Sequence, residues 1–203
     1  MSAGLAALAM LAEPARQADA RDLDIDRVAR HHDGDRDAFA EIYRAHVAAV
    51  YRRLTRILGP IPEREDLTQD VFVALHRALP KFRGESALST WIQRIAINTA
   101  LDHLRSRVRR PAAPVDIRIL DKLSAPQASP EARAEHREQL AHVFACLAKI
   151  KPKKRIALLL RVVDGLSFED IGQLVDASPD AVAKRVQHGQ RELDALLARR
   201  EGA

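Results

Sequence analysis

The sequence predicts an all-α chain of two small helical domains joined by a flexible linker, and three observations carry that prediction. Aromatic residues make up 4% and glycines number 8 in 203 residues, while Ala, Leu and Arg abound, a composition that favours helix over sheet. Apolar residues recur at spacings of three and four through most of the chain. Between residues 111 and 130 the breakers Pro111, Pro114, Pro126 and Pro130 interrupt that rhythm and mark a domain boundary. With 47% apolar and 30% charged residues, the chain has the material for a core, and global disorder is excluded.

Each element follows from local signals. Residues 1–30, rich in Ala, Arg and Asp, read as a flexible leader with a short helix near Leu23–Arg30. Asp37 caps a helix from Ala38, in which Phe39, Ile42, Tyr43, His46, Val47, Val50, Tyr51, Leu54 and Leu58 share one face. Gly59-Pro60-Ile61-Pro62 breaks it. A second helix runs from Arg64 to Leu79 on the stripe Leu67, Val71, Leu75 and Leu79, and Pro80 ends it. A loop from Lys81 to Ser89 leads into a third helix, Thr90 to Arg109. Its sides are apolar (Ile92, Ile95, Ala96, Ile97, Leu101, Leu104), apart from one polar seam of Arg94, Asn98, Asp102, Arg105 and Arg109. Such a helix is mostly buried, with the seam turned outward. Beyond the linker, Pro130–Ile150 is helical. Pro152 opens the next helix, which Gly165 stops. Ser167 and Asp170 form a capping box, Asp176-Ala177-Ser178 a turn, and Ser178-Pro179 the cap and first position of a last helix reaching Leu197.

Charge points to a polyanion. The formal net charge is +5, but residues 81–110 hold seven basic against two acidic groups, and residues 149–200 hold eleven against seven. Two cationic blocks on either side of a near-neutral stretch suit nucleic acid, and solvated helix faces are the bland alternative. The single cysteine, Cys146, excludes a disulfide framework and a cysteine zinc cluster, fits a reducing cytoplasm, and reads as a small core or boundary residue. The longest apolar stretch, Gly4–Ala12, is about half of what a membrane span needs. No phosphate loop, HExxH or nucleophile elbow is present, so no catalytic residue, metal ligand or cofactor is assigned, and His31-His32 reads as a solvated pair.

Two constellations carry the functional reading. Residues 167–191 form a helix-turn-helix, whose second helix in such motifs enters the DNA major groove. With Val182, Val186, Gly189, Leu193 and Leu196 inward, it presents Asp180, Lys184, Gln187, His188 and Arg191 outward, and a plain αα-hairpin is the bland alternative. The other constellation is the polar seam with Phe82 and Trp91. Aromatics beside Arg and Asn suit unpaired nucleotides, although Trp91 also suits the core.

These residues resemble a known family. Glu65-Asp-Leu-Thr-Gln-Asp-Val-Phe72, Phe82-Arg-Gly84, Trp91-Ile-Gln-Arg-Ile-Ala-Ile-Asn98 and Asp102-His-Leu-Arg105 resemble region 2 of bacterial RNA polymerase sigma factors, in the compact form of the extracytoplasmic-function (ECF) group. Leu166–Gly172 through Arg191-Glu-Leu193 resembles region 4. The resemblance implies region 2 over 31–110, a linker over 111–130 and region 4 over 131–200. Asp66, Gln69 and Asp70 then dock on core polymerase, whose β′ clamp and β flap are the implied partners. Phe82, Arg83, Trp91, Arg94, Asn98, Arg105 and Arg109 handle the melted −10 element. Ser178, Asp180, Lys184, Gln187, His188 and Arg191 read the −35 duplex. An anti-sigma partner is compatible with the resemblance, and a membrane is not implied. The chain departs from the family pattern at Asp176, where many members have Gly, and at His188-Gly189-Gln190. The interior Gly189 costs about 1 kcal/mol of helix stability. A sigma-mimicking interaction module and a stand-alone helix-turn-helix repressor are the alternative functions.

Overall fold

The computed structural model describes residues 3–9, 11, 21–107 and 129–201. Among these, every regular element is helical: α1 (Ala3–Ala9), α2 (Arg21–His32), α3 (Arg36–Leu58), α4 (Arg64–Ala78) with a 3-10 turn at Leu79–Lys81, α5 (Leu88–Arg107), α6 (Pro130–Lys149), α7 (Pro152–Val162), α8 (Phe168–Val175) and α9 (Pro179–Glu201). The linker prediction for residues 111–128 and the seam residue Arg109 fall outside the described residues.

Helices α2 to α5 form the first lobe. The inner faces of α3, α4 and α5 meet over Ile42, Val50, Leu54, Val71, Leu75, Ile92, Ala96 and Ile97, all buried. Asp35 rather than Asp37 caps α3: its carboxylate accepts the Asp37 N–H at 2.8 Å. Both candidates are acidic and lie two residues apart, and only Asp35 has the extended backbone that a cap requires. Gly59, at φ 81°, turns the chain out of α3 while donating its N–H to the Thr55 carbonyl at 2.8 Å. In the turn to α4, the buried Arg64 donates to the Ile61 carbonyl at 2.7 Å and to Thr55 Oγ1 at 3.1 Å, and its guanidinium lies over the Tyr51 ring. A charge taken out of water persists only with such partners.

The second lobe is α6 to α9, with α9 lying along α7. Ser129 caps α6 through the Ala132 N–H at 3.2 Å, and Ile150 ends it. At α8 the N-cap half of the capping box forms: Ser167 Oγ accepts the Asp170 N–H at 3.0 Å, and the Asp170 carboxylate accepts the Ser167 hydroxyl at 2.7 Å.

Of the flexible leader expected over 1–30, residues 3–9, 11 and 21–30 are described, and these pack on the two lobes. Helix α1 packs on α9, α7 and α6 of the second lobe, with Leu8 and Leu11 buried and the Gly4 N–H donated to Asp194 Oδ1 at 2.9 Å. Helix α2 packs on α3 and α5. Buried Asp24 on α2 holds the buried His46 on α3 at 3.0 Å, and Arg30 bridges Asp35 and Glu41 at 2.6 and 3.1 Å. The Arg30 hydrogen bonds hold both of those carboxyls below their ordinary range.

The lobes also meet. Helix α5 packs on α7 and α8, and α3 on α7, so the buried apolar cluster runs through both lobes. The two domains expected from sequence thus share a face.

Candidate nucleic-acid interface

The seam of α5 exists because its other faces are used. Ile92, Ala96, Ile97, Ala100 and Leu101 are buried against α3 and α4, which leaves Arg94, Asn98, Asp102 and Arg105 exposed along one line. Arg105 Nη1 pairs with Asp102 Oδ1 at 3.0 Å in water, a contact worth little to stability. It is a guanidinium that a phosphate can take over. Asn98, between Arg94 and Arg105, brings an amide with both donor and acceptor, the chemistry that reads a free base edge.

Phe82 and Trp91 pack on each other. Their ring centroids lie 4.9 Å apart at 32°, and both are half-buried against the core. The two rings form one stacked pair rather than two free platforms. Arg83, between them in sequence, is exposed, as is the loop around Gly84.

Asp66, Gln69 and Asp70 lie exposed on α4, opposite its Leu67, Val71 and Leu75 stripe. Sequence reasoning missed a fourth member. Val73, 47% exposed, continues the same face one turn on. Its signal was available, since it is an apolar residue seven after Asp66 and off the inner stripe. A carboxylate, an amide and an apolar side chain on one helix face suit a protein partner better than a nucleic acid.

In the helix-turn-helix, Ser178, Asp180, Lys184, Gln187, His188 and Arg191 are all exposed, and Val182, Val186 and Leu193 are buried. Ser178 Oγ accepts the Ala181 N–H at 3.3 Å, which fixes the start of α9. Asp176 takes the left-handed conformation at φ 50°, so the departure from Gly is absorbed by a residue that tolerates it. Gly189 has a structural reason. A Cβ there would lie 3.2 Å from the Lys154 carbonyl oxygen, so its absence lets α9 and α7 approach closely. That contact offsets the propensity cost.

Between the two constellations lies a cleft of about 410 Å³. Asn98, Asp102 and Arg105 of α5 form one wall, and Lys153, Asp176 and Arg185 form the other. Lys153 and Arg185 were not singled out from sequence, because nothing local shows that they face α5.

Among the described residues, no group of three His, Cys, Asp or Glu could hold a metal, and no helix is long and apolar enough to cross a membrane. His31 is not a solvated member of a pair. It packs against Phe39 and against His76 of α4, at centroid distances of 5.9 and 5.7 Å. Cys146 is buried, and His142 Nε2, one turn earlier, lies 3.8 Å from its sulfur, a neighbour the sequence reading overlooked.

Comparison with known proteins follows the same division. The family model for sigma-70 region 2 matches residues 42–110, and that for sigma-70 region 4 matches residues 143–193. The chain is 33% identical over 180 residues to the RNA polymerase sigma-H factor of Pseudomonas aeruginosa, covering 85% of this chain and 91% of that one. It is 32% identical over 176 residues to the ECF RNA polymerase sigma-E factor of Escherichia coli, covering 82% and 90%. Among solved structures, CnrH bound to the cytosolic domain of CnrY superposes with a TM-score of 0.60 at 25% identity, over 86% of this chain and 97% of that one. The sigma factor RpoE of Bartonella quintana, bound to the anti-sigma factor NepR, shares the fold with a TM-score of 0.56 at 19% identity, over 80% and 98%.

Proposed function

The chain belongs to the sigma-70 family of RNA polymerase sigma factors, and from that membership we propose how its parts divide promoter-directed initiation among themselves. Asp66, Gln69 and Asp70, joined by Val73, dock on core polymerase. The α5 seam captures unpaired −10 nucleotides, with Asn98 taking a base edge, Arg94 and Arg105 taking phosphates, and Arg83 approaching from the loop. Phe82 and Trp91 wall that site through their shared stack. In the second lobe, Lys184, Gln187 and His188 face the −35 major groove, with Arg191 and Ser178 on its backbone. The observation that carries this reading is one chain exposing a polar seam on an otherwise buried helix and a helix-turn-helix reading face.

Melting on this reading is driven by binding. Extruding a base costs a few kcal/mol, and the site that receives the base offsets it. No bond is made or broken by the chain, so it is a subunit and not an enzyme. It works in the cytoplasm, where polymerase and chromosome are. As CnrH is seen with the cytosolic domain of CnrY and the Bartonella RpoE with the anti-sigma factor NepR, an anti-sigma protein is a proposed partner here too.

Run-off transcription with purified core polymerase tests the reading, and gel shifts with and without core separate it from the alternatives. A repressor shifts DNA alone, a mimic shifts none, and a sigma factor shifts it with core. Asn98→Ala is expected to reduce open-complex formation at least tenfold while leaving core binding unchanged, an effect of the size of one lost base contact. Wild-type permanganate reactivity at −10 in that variant refutes the role of the seam.

A further inference from the structure

The cleft beside α5 holds charges that the fold does not use. On one wall, Arg105 is already paired with Asp102 at 3.0 Å. On the other, Lys153 of α7 and Arg185 of α9 line the same space. Among the described residues neither side chain has a hydrogen bond or an ion pair, whereas the adjacent Lys154 is paired with Glu192. Two cations on one small cleft favour an anion between them.

The rest of the lining divides by chemistry. Leu101 and Ile156, both buried, and half-buried Val175 give the cleft an apolar surface. Asn98 brings an amide whose donor and acceptor match the N6 and N7 edge of adenine. Asp176, held in the left-handed turn, brings a carboxylate that can accept sugar hydroxyls, as acidic residues do on a ribose. With Arg105 neutralised by Asp102, Lys153 and Arg185 complement one phosphate monoester, which carries a charge near −2 at neutral pH. The volume of about 410 Å³ lies inside the range of about 300–1,000 Å³ usual for small-ligand sites.

The walls are set before any ligand arrives. Asp164, in the loop after α7, accepts from Arg53 and at 3.0 Å from Arg56 of α3, and Gln93 of α5 accepts the Arg53 Nε–H at 2.8 Å. A site formed in advance spares its ligand the cost of ordering it.

We propose that this cleft binds a free adenine nucleoside monophosphate, its phosphate between Lys153 and Arg185, its ribose on Asp176 and its base edge on Asn98. The face of α9 that carries Lys184, Gln187 and Arg191 lies open to solvent and suits a duplex, whereas the cleft is walled on two sides and takes one small molecule. A nucleotide seated there occupies Asn98 and so denies the seam to a −10 strand. The binding stands by itself, and only that competition rests on the role given to the seam.

Titration calorimetry of the full chain with AMP, CMP and sodium phosphate tests the site. AMP should bind in one saturable event, and CMP and phosphate at least about tenfold more weakly, the factor for one lost base contact. Lys153→Gln and Arg185→Gln, with folding checked by circular dichroism, should each weaken AMP about tenfold, the size of a lost charge-assisted hydrogen bond. Lys184→Gln, on the open face, should leave AMP binding unchanged. No saturable binding up to about 1 mM AMP overturns the site, as does wild-type affinity in both cleft variants. Equal weakening by Lys184→Gln also overturns it, because the binding is then diffuse attraction to a basic surface. Phosphate binding as tightly as AMP overturns the nucleotide, and CMP doing so overturns the adenine. In a second arm the chain is preincubated with AMP before core polymerase and promoter are added, without substrate nucleotides. Permanganate reactivity at −10 should fall, and Lys153→Gln should resist that fall. Unchanged reactivity with AMP bound overturns the competition. Failure of the seam reading looks different: Asn98→Ala would melt promoters normally while AMP binding still depended on Lys153 and Arg185.

Discussion

A Cβ placed on Gly172 would lie 2.5 Å from the Ala177 carbonyl oxygen, where the turn of the helix-turn-helix folds back over α8. No side chain fits there, so the sequence Gly172 to Ser178 is one unit in which Gly172 supplies room and Asp176 supplies the left-handed bend. At the same scale lies a pH effect. His31 titrates below its ordinary value of 6.5, first because it is partly buried and then because His76 and His32 repel a charge on it. The unfolded chain therefore takes the proton at a higher pH than the folded one. Stability is complete above the unfolded value and falls as pH drops below about 6.5 toward the lower folded value. Melting temperature should decline between pH 7.5 and 5.5, and His31→Gln should make that decline shallower. An unchanged slope in the variant would remove His31 from the account. His31 was misread from sequence because its partner, His76, is forty-five residues away, on α4.

Elements were legible wherever the signal was local. Stripes such as Leu67, Val71 and Leu75, the Ser167–Asp170 box and the Ser178-Pro179 start all lie within one or two turns, and the helices they predict are present. The polar seam of α5 was legible for the same reason. Helix α1 was not. Seven residues, mostly alanine, do not hold a helix in water, and only the groove on the second lobe makes Ala3–Ala9 helical. Removing residues 1–11 should therefore act far from its own site. Burial of Leu8 and Leu11 is worth about 3 kcal/mol, and its loss should lower the unfolding midpoint of the second lobe while leaving the Asp24–His46 contact of the first intact. Amide exchange followed lobe by lobe reads this out. Equal loss of protection in both lobes would contradict it.

At the scale of the whole molecule, the pairing of Arg53 with Asp164 spans 111 positions in sequence, and no periodicity reports on such a pair. Composition and breakers divided the chain in two, and did so usefully, but they do not say whether two lobes touch. Because apolar burial here is continuous across them, calorimetry of the wild type should show one cooperative transition, and Asp164→Arg should split it into two. Two separate transitions already in the wild type would mean that the lobes fold independently. The placement of α1 also constrains manufacture. Its Gly4 amide waits for Asp194, 190 positions downstream, so α1 cannot seat until α9 has emerged. Until then Leu8 and Leu11 have no native cover. A nascent chain stalled before α9 should accordingly be a better chaperone client than the finished protein.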